Sequence, residues 1–340
     1  MKYITFFTQW DWANVLTDHN LCINKVSQKY KSICICRTKH FFDYTVKHQY
    51  NLDELCCAGK DNREEYNYML DHITKSDLII IGCEWEENDK WIKNDNWIEK
   101  RYPDIFKIMI KKKKILFHCH ETYFLNDKNN KINFVVPEFN DSNKKLNFII
   151  PGTPVDICEN IDDILNRRYN NEKLVITHIN SRPDRGKRKG SLIINKIMKE
   201  ICKHNKNILY NFIDFQTKSF GEIMEIKKNT DIYIDQYNND IGGFGTSSIE
   251  ALKYGCIVLC TINKLNPSIY EVIQKDNFPI IDISGSIDNF KNILINVCSY
   301  DKKTIFNISN KNIDWVKKNL SSDKICSTLE KYIDDIILPC

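Results

Sequence analysis

Glycine is scarce in this sequence, and the scarcity makes its distribution informative. Only 11 of the 340 residues are glycine, yet three of them fall within four positions, at Gly242, Gly243 and Gly245. Long apolar runs are missing too. No stretch approaches the roughly 18 consecutive apolar residues that indicate a membrane-spanning helix, so none is expected. Strong net charge is also absent, because the formal value of +4 is too small to indicate nucleic-acid binding by itself.

The sequence also lacks the features of a small secreted protein. Its first residues, MKYITFFTQWDW, contain no long apolar segment of the kind found in signal peptides. Disulfide frameworks belong to short secreted chains, whereas many of the 14 cysteines here lie inside apolar runs such as SICICR and GCIVLC. Reduced cysteine acts there as a small hydrophobe. We therefore expect free thiols and a cytoplasmic compartment, with peripheral contact at the inner face of a membrane as an open alternative.

What the sequence does contain is the pattern of α/β domains. Short, continuous apolar runs such as DLIIIGC and KLVITHIN alternate with amphipathic stretches along the whole chain. Continuous apolar strands predict parallel sheets covered by helices on both faces. The length predicts two doubly wound halves, joined near residues 151–156. Ligands of such sheets bind beyond the carboxyl ends of the strands, here between the halves.

The helical period predicts several element boundaries. A first helix is expected from about residue 13 to 30, with Leu16, Ile23, Val26 and Tyr30 on its buried face. The chain is expected to end in two helices, at 314–319 and at about 323–336.

The glycine cluster opens the stretch GGFGTSSIEALKYGCIVLC, which follows the apolar strand DIYIDQY. Missing side chains allow a ligand to approach the backbone there. Thr246 or Ser247 can cap the following helix, and Ser247 with Glu250 fits a capping box. Alternatively, the start of the helix holds an anion such as a phosphate. A dinucleotide fingerprint fits poorly, because Ser248 stands where its last glycine belongs.

A basic loop follows another strand and opens another helix in HINSRPDRGKRKGSLII. Its cations are Arg182, Arg185, Lys187, Arg188 and Lys189. Arginine binds phosphate through two parallel hydrogen bonds, and lysine supplies a movable point charge, so the loop suits a diphosphate. A solvated surface loop is the plainer alternative, and no interleaved aromatic residues favour nucleic-acid stacking.

Three motifs in order resemble the GT-B glycosyltransferases, most closely the family-4 retaining enzymes. That family has an inter-domain I-P-N-G-V-D segment, then Gly-Arg and Lys-Gly around a loop, then E-G-F-G, four residues, E-A, and later G-x-P-V. The matching segments here are IIPGTPVD, HINSRPDRGKRKG and GGFGTSSIEALKYGCIV. The resemblance covers residues 149 to about 283, and the N-terminal half matches only in general pattern.

The resemblance implies a fold, boundaries and roles. It implies two Rossmann-like parallel-sheet domains facing across a cleft: an acceptor domain at 1–150, a nucleotide-sugar donor domain at 151–312, and helices at 313–340 that pack back on the first domain. Glu250 would bind the ribose, and Arg182 with Lys189 would neutralise the diphosphate. Gly242, Gly243, Phe244, Gly245, Thr246 and Ser247 would line the sugar and phosphate.

The sequence departs from the family pattern at Gly242, where the family places its first glutamate. The resemblance leaves open whether Asp240 replaces that carboxylate, and the longer basic loop leaves open whether Arg185 takes the role given to Arg182.

Two further segments supply candidate residues in the N-terminal half. In FHCHETY, the resemblance implies that His118 faces the donor sugar with His120 behind it, while hydrogen bonding within the fold is the plainer alternative. A metal site is not expected there, because neighbouring strand positions point to opposite faces. In TQWDWANV, Trp10 and Trp12 could stack on an acceptor sugar, and Asp11 could activate its hydroxyl or cap a helix.

The predicted function is metal-independent transfer of a sugar from a UDP- or GDP-sugar to a glycan, lipid or small-molecule acceptor. No cofactor is expected beyond that co-substrate. The alternatives are a DNA-base glucosyltransferase of the same fold and a non-catalytic nucleotide-sugar binder. The lysines at 111–114 suit either a helix end or an anionic membrane or nucleic-acid partner.

Overall fold

The structure is a computed structural model. It describes residues 1–8, 15–37, 49–52, 55, 63–83, 102–110, 115–119, 133–135, 148–149, 153–180, 189–214, 217–240, 242–265 and 278–337.

The described residues form strands and helices that alternate along much of the chain. The strands are β1 (Lys2–Thr8), β2 (Tyr30–Cys36), β3 (Gln49–Asn51), β4 (Leu78–Cys83), β5 (Ile115–Cys119), β6 (Asn133–Val135), β7 (Phe148–Ile149), β8 (Leu174–Asn180), β9 (Ile208–Asp214), β10 (Ile232–Gln236), β11 (Ile257–Cys260) and β12 (Ile280–Asp282). The helices are α1 (Val15–Val26), α2 (Arg63–Lys75), α3 (Pro103–Ile110), α4 (Ile161–Asn170), α5 (Ser191–His204), α6 (Phe220–Lys228), α7 (Thr246–Leu252), α8 (Ile287–Cys298), α9 (Lys302–Leu320) and α10 (Ser322–Ile337).

The chain divides into two compact units, and the first contains a parallel sheet. This unit takes the described residues up to Val136, those of Lys145–Pro154, and Ser322–Cys340. Its seven described strands lie in the order β3-β2-β1-β4-β5-β6-β7, and every neighbouring pair is parallel. This is the doubly wound order, in which the chain reverses direction across the sheet beside β1.

The second unit contains Val155–Ser321 and a separate sheet. Its five described strands lie in the order β12-β11-β10-β8-β9, again all parallel. All seven residues of β8 are buried, as expected for a strand covered on both faces. The chain leaves β8 for β9 on one side and returns to β10 on the other, so the sheet reverses between β8 and β10. Ligands of doubly wound sheets bind beyond the carboxyl ends of the strands at such a reversal.

The last helix, α10, packs within the first unit, against α1. Its apolar face is buried, with Ile325, Leu329 and Ile333 no more than 1% exposed. Polar contacts fix the pairing, since Lys29 forms an ion pair of 2.9 Å with Asp334 and the Cys22 thiol donates to the Ser322 carbonyl. The chain therefore returns to the first unit at Ser322, whereas the sequence boundary was set at 313.

Two sequence predictions of element boundaries are wrong. Tyr30 is the first residue of β2, not the last of α1, because its buried ring belongs to the sheet while α1 ends at Val26. The short helix predicted at 314–319 is the end of α9, a helix of 19 residues whose N-cap is Asp301. Its first three turns are rich in Lys, Asn and Ser, so the sequence pattern does not reveal their buried face. That face includes Ile305 and Ser309.

Two further observations concern the described residues. None of their helices combines the length and apolar character required to cross a bilayer. The cysteines whose side chains are described are free thiols, and most of them are buried. Burial raises the pKa of the Cys256 thiol to about 11, so that this cysteine acts as a neutral core residue.

Candidate functional site

Lys189, the last cation of the basic loop, meets the helix of the glycine motif at the reversal between β8 and β10. After β8 the described chain resumes at Lys189, which lies immediately before α5. The Lys189 carbonyl accepts a hydrogen bond of 2.9 Å from the amide of Tyr237, just beyond the end of β10. The glycine loop and α7 follow this same end of β10.

Gly190 allows this close approach of α5 to β10. It is the N-cap of α5 and has a φ of +69°, a left-handed conformation that favours glycine. A Cβ atom at this position would lie 2.0 Å from the carbonyl oxygen of Tyr237. Only glycine fits at position 190, so the backbone contact that places Lys189 beside β10 depends on Gly190.

Asp235 joins the basic loop to the helix of the glycine motif. Its Oδ1 accepts a hydrogen bond of 2.6 Å from Lys189 Nζ, and its Oδ2 accepts one of 2.6 Å from the Ser248 hydroxyl. Burial acts to raise the pKa of Asp235, but Lys189 and Ser248 outweigh it, so the pKa lies below its ordinary value and the carboxylate is charged. The Lys189 side chain keeps 18% of its surface exposed, whereas Asp235 keeps 3%.

His178 on β8 hydrogen bonds to both β10 and α5, the elements that also carry or flank this ion pair. Its Nδ1 donates to the Ile234 carbonyl at 2.8 Å, and its Nε2 accepts from the Ser191 hydroxyl at 2.8 Å. Burial lowers the pKa of His178 to about 4, with the Lys189 charge acting in the same direction. The ring is therefore neutral, and it holds β8, β10 and the first residue of α5 in one arrangement.

Gly242 has a conformation that excludes the glutamate of the family pattern. Its φ is +49°, and a Cβ atom there would lie 2.2 Å from Oδ1 of Asn263 and 2.8 Å from the amide nitrogen of Lys264. The Lys264 amide donates to the Gly242 carbonyl, which fixes the loop in this position. The backbone conformation at position 242 therefore requires the glycine that replaces the family's glutamate.

The rest of the glycine loop is tightly packed. The Gly243 carbonyl accepts hydrogen bonds from the Gln236 amide group and from the Cys260 thiol. Phe244 is only 2% exposed, and its ring lies 5.4 Å from that of Phe278. Phe244 therefore anchors the loop in the core, and the loop could meet a ligand through its backbone but not through this ring.

The capping box considered for Ser247 and Glu250 is not formed. Gly245 is the N-cap of α7, so Ser247 lies inside the helix, and no side chain caps it. Glu250 instead accepts a hydrogen bond of 2.5 Å from Lys227 on α6, and its side chain keeps 15% of its surface exposed. Gly255 adopts a φ of +71° just after the helix, as expected for the glycine that ends it.

Lys227 is almost fully buried and is surrounded by acceptors. Its ammonium also donates to the Ser247 carbonyl at 3.1 Å and to the Ser247 hydroxyl at 3.0 Å. It lies 5.1 Å from the centre of the Tyr233 ring, and the Tyr233 hydroxyl bonds to Ser247 at 2.6 Å. Burial raises the pKa of Tyr233 well above its ordinary value, so the phenol stays neutral.

The other predicted site residues are placed as follows. Asp240 is exposed. Its backbone amide donates to the Asn238 side chain, and its carbonyl accepts from the Lys264 ammonium. No contact between Asp240 and Glu250 is found among the described residues. Thr246 is buried at the start of α7. His118 lies on β5, but its side chain is outside the described part of the chain. Also outside the described residues lie Trp10, Asp11, Trp12, His120, Arg182 and Arg185.

Sequence reasoning missed Asp235, Lys227 and His178. Asp235 carried a usable signal, because a carboxylate inside the apolar strand DIYIDQY must be paired when buried. Lys227 carried none, since a lysine in the last turn of a helix usually reflects the helix dipole. Within the described part of the chain, no three His, Cys, Asp or Glu side chains are grouped so that they could hold a metal ion.

Comparison with known proteins identifies the fold. No family model and no curated protein sequence matches this chain. Among solved structures it is similar to a glycosyltransferase from Rickettsia africae ESF-5, with a TM-score of 0.56 and 12% identity over 100% of both chains. It is also similar to the N-terminal domain of Candida albicans trehalose-6-phosphate phosphatase (TM-score 0.57, 8% identity, 99% of this chain and 100% of that chain). A third similarity is to S. aureus MnaA in a co-structure with UDP (TM-score 0.51, 11% identity, 98% of this chain and 97% of that chain).

The chain has the GT-B fold. The fold that the three motifs implied is thus confirmed, whereas membership of family 4 stays a prediction. In this GT-B chain the reversal of the second sheet brings together Lys189, Asp235 and Ser248, whereas Glu250 is joined to Lys227.

Proposed function

We propose that this protein is a glycosyltransferase that moves a sugar from a nucleoside-diphosphate sugar to an acceptor. One observation carries the proposal. Lys189 of the basic loop and Ser248 of the glycine motif are joined at the reversal of the second sheet through the two carboxylate oxygens of Asp235 on β10. The UDP bound to the similar MnaA structure and the similar glycosyltransferase from Rickettsia africae support a nucleotide-sugar donor.

The described residues suggest how the donor is held. Lys189 keeps part of its surface exposed and donates one proton to Asp235, which leaves two N–H donors for a diphosphate. The same positive charge stabilises the diphosphate as it leaves the sugar. Glu250 is the acceptor for the ribose hydroxyls, and Arg182 or Arg185 adds charge from the basic loop. Retention at the anomeric carbon follows from the family-4 resemblance. The acceptor is a glycan, a lipid or a small molecule.

The test is the binding of UDP and GDP by calorimetry, at a temperature where every variant is folded. Glu250→Gln removes the charged acceptor, and a hydrogen bond to a charged group contributes roughly 1.5–3 kcal/mol. We therefore expect affinity to fall about tenfold or more. The matched control is Glu225→Gln, which changes an exposed glutamate paired with Lys228 on α6 and should bind as the wild type does. Equal affinity in Glu250→Gln and the control would reject Glu250 as a ligand of the nucleotide.

The geometry at Gly242 favours a second candidate, a nucleotide-sugar binder without transferase activity. The resemblance implies that the family's first glutamate contacts the donor sugar, and a carboxylate at that position is sterically excluded here. Turnover separates the two. Release of free nucleotide from UDP-glucose or GDP-mannose, in the presence of a panel of acceptors, supports the enzyme. Stabilisation by UDP or GDP without any transfer or hydrolysis supports the binder.

A further inference from the structure

Lys227 is a buried cation that the proposed donor site does not use directly. Its side chain is 1% exposed, and every hydrogen bond that its ammonium can donate has an acceptor: the carbonyl and hydroxyl of Ser247 and one oxygen of Glu250. The Tyr233 ring at 5.1 Å adds a favourable cation–π contact. With no donor left over, Lys227 has nothing to offer a ligand.

What Lys227 does is fix the carboxylate of Glu250. The contact engages Oε2, and no described residue donates a hydrogen bond to Oε1. The Glu250 side chain is 15% exposed, so this second oxygen has access to a ligand. One end of the carboxylate is therefore clamped inside the protein while the other remains available as an acceptor.

A clamped carboxylate is suited to recognising two neighbouring hydroxyl groups. A freely rotating glutamate loses side-chain entropy when it binds, and a pre-positioned one has lost it already. The same ammonium holds Ser247 through two contacts, so the position of Glu250 relative to the glycine loop is also set.

We propose that Lys227 is a positioning residue that makes the site selective for ribonucleotides, by holding Glu250 ready for the 2′- and 3′-hydroxyls. The proposal rests on the proposed function, because it assigns the ribose to Glu250. A purely structural ion pair between α6 and α7 would stabilise the fold without affecting which sugar the nucleotide carries. The two roles therefore differ in a measurable selectivity.

The experiment compares Lys227→Met with the wild type. Methionine keeps the length and apolar stem of lysine and removes only the ammonium, and Glu250 can then turn toward water. The probes are UDP, GDP and their 2′-deoxy forms, measured by calorimetry. Because one hydrogen bond to a charged group is involved, the wild type should prefer the ribonucleotide about tenfold or more. In Lys227→Met the preference should fall to within about threefold of unity. The matched control, Lys228→Met on the same helix, should keep it.

Each other outcome has a definite meaning. If the wild type binds none of the four probes, the proposed function fails before Lys227 is tested. If it binds ribose and deoxyribose forms equally, the ribose role of Glu250 and the present inference both fail. If Lys227→Met is folded and keeps the preference, Lys227 is only structural. If Lys227→Met does not fold, Lys227→Gln replaces it under the same criterion, and failure of both to fold would likewise make Lys227 structural.

Discussion

At the scale of single residues, two glycines illustrate how the same amino acid serves different purposes. Gly242 has a positive φ and no room for a Cβ atom, because Asn263 and Lys264 lie against it. Gly221 lies in the first turn of α6, and a Cβ atom there would have no neighbour within 4 Å. One glycine is required by its surroundings, and the other only adds flexibility to the unfolded chain.

Substitution of these glycines by alanine should therefore have opposite effects. We expect Gly242→Ala to lower the free energy of unfolding by about 1–3 kcal/mol, since a left-handed residue and a close backbone contact are both penalised. Gly221→Ala should raise it by about 0.5–1 kcal/mol. Urea denaturation of the two variants measures both values. A Gly242→Ala variant as stable as the wild type would show that the loop moves freely, and would reopen that position for a glutamate.

At the scale of secondary-structure elements, His178 links three of them and makes their association sensitive to pH. In the unfolded chain a histidine has a pKa of about 6.5, whereas burial lowers the pKa of His178 to about 4 in the folded protein. Between these values the unfolded state binds a proton that the folded state does not, so stability falls as the pH is lowered from 6.5 toward 4.

The contribution of His178 can be isolated by comparing pH values. When the pH is lowered from 7.5 to 5, the titration of His178 should reduce the free energy of unfolding by about 2 kcal/mol, given the two pKa values. His178→Gln keeps a polar side chain that does not titrate, so its stability should fall by about 2 kcal/mol less than that of the wild type over the same interval. Denaturant unfolding at both pH values provides the measurement. Parallel losses in the two proteins would mean that His178 is protonated in the folded state.

Two helices with the same local pattern also begin differently. Ser-x-x-Glu forms a complete capping box at Ser219 and Glu222, where α6 begins directly after the serine. The same spacing at Ser247 and Glu250 forms none, because α7 begins at Thr246 after Gly245. The carboxylate is then free for the buried cation of α6, and the pattern alone cannot distinguish these cases.

At the scale of the whole molecule, the chain crosses back to its first unit through its last helix. The apolar face of α10 is buried, and its contacts to Cys22, Lys29 and Tyr30 involve residues about three hundred positions away. The first unit therefore includes α10, although this helix is far from the rest of the unit in sequence. Its stability should depend on α10, while the sheet of the second unit should not.

A cavity in α10 tests this dependence. Ile333→Ala removes a fully buried side chain and should cost about 2–5 kcal/mol. Hydrogen exchange followed by mass spectrometry should show faster exchange in β1 and β2, with β8 and β10 unchanged. The control is Lys331→Ala, an exposed position on the same helix that should leave exchange as it is. Equal acceleration in the strands of both units would show instead that the chain opens as one cooperative body.

The sequence by itself determined the fold class and the order of the motifs. Continuous apolar runs such as LVITHIN predict buried parallel strands, because burial on both faces leaves no polar alternation. The three motifs, taken in order, resemble those of the GT-B glycosyltransferases, and that resemblance implied the GT-B fold. Gly190 shows why such a motif keeps its glycine, because a Cβ atom there would collide with the Tyr237 carbonyl.

Only the tertiary structure decided which partner each charged residue has. Glu250 could cap its own helix, bind a ligand or pair elsewhere, and its pairing with Lys227, 23 residues away, depends on how α6 and α7 pack. Asp235 meets Lys189 because β8 and β10 are neighbours in the sheet although β9 lies between them in sequence. Local patterns depend on contacts within a turn or two of helix, whereas buried charges are paired across elements whose adjacency is set by the whole sheet.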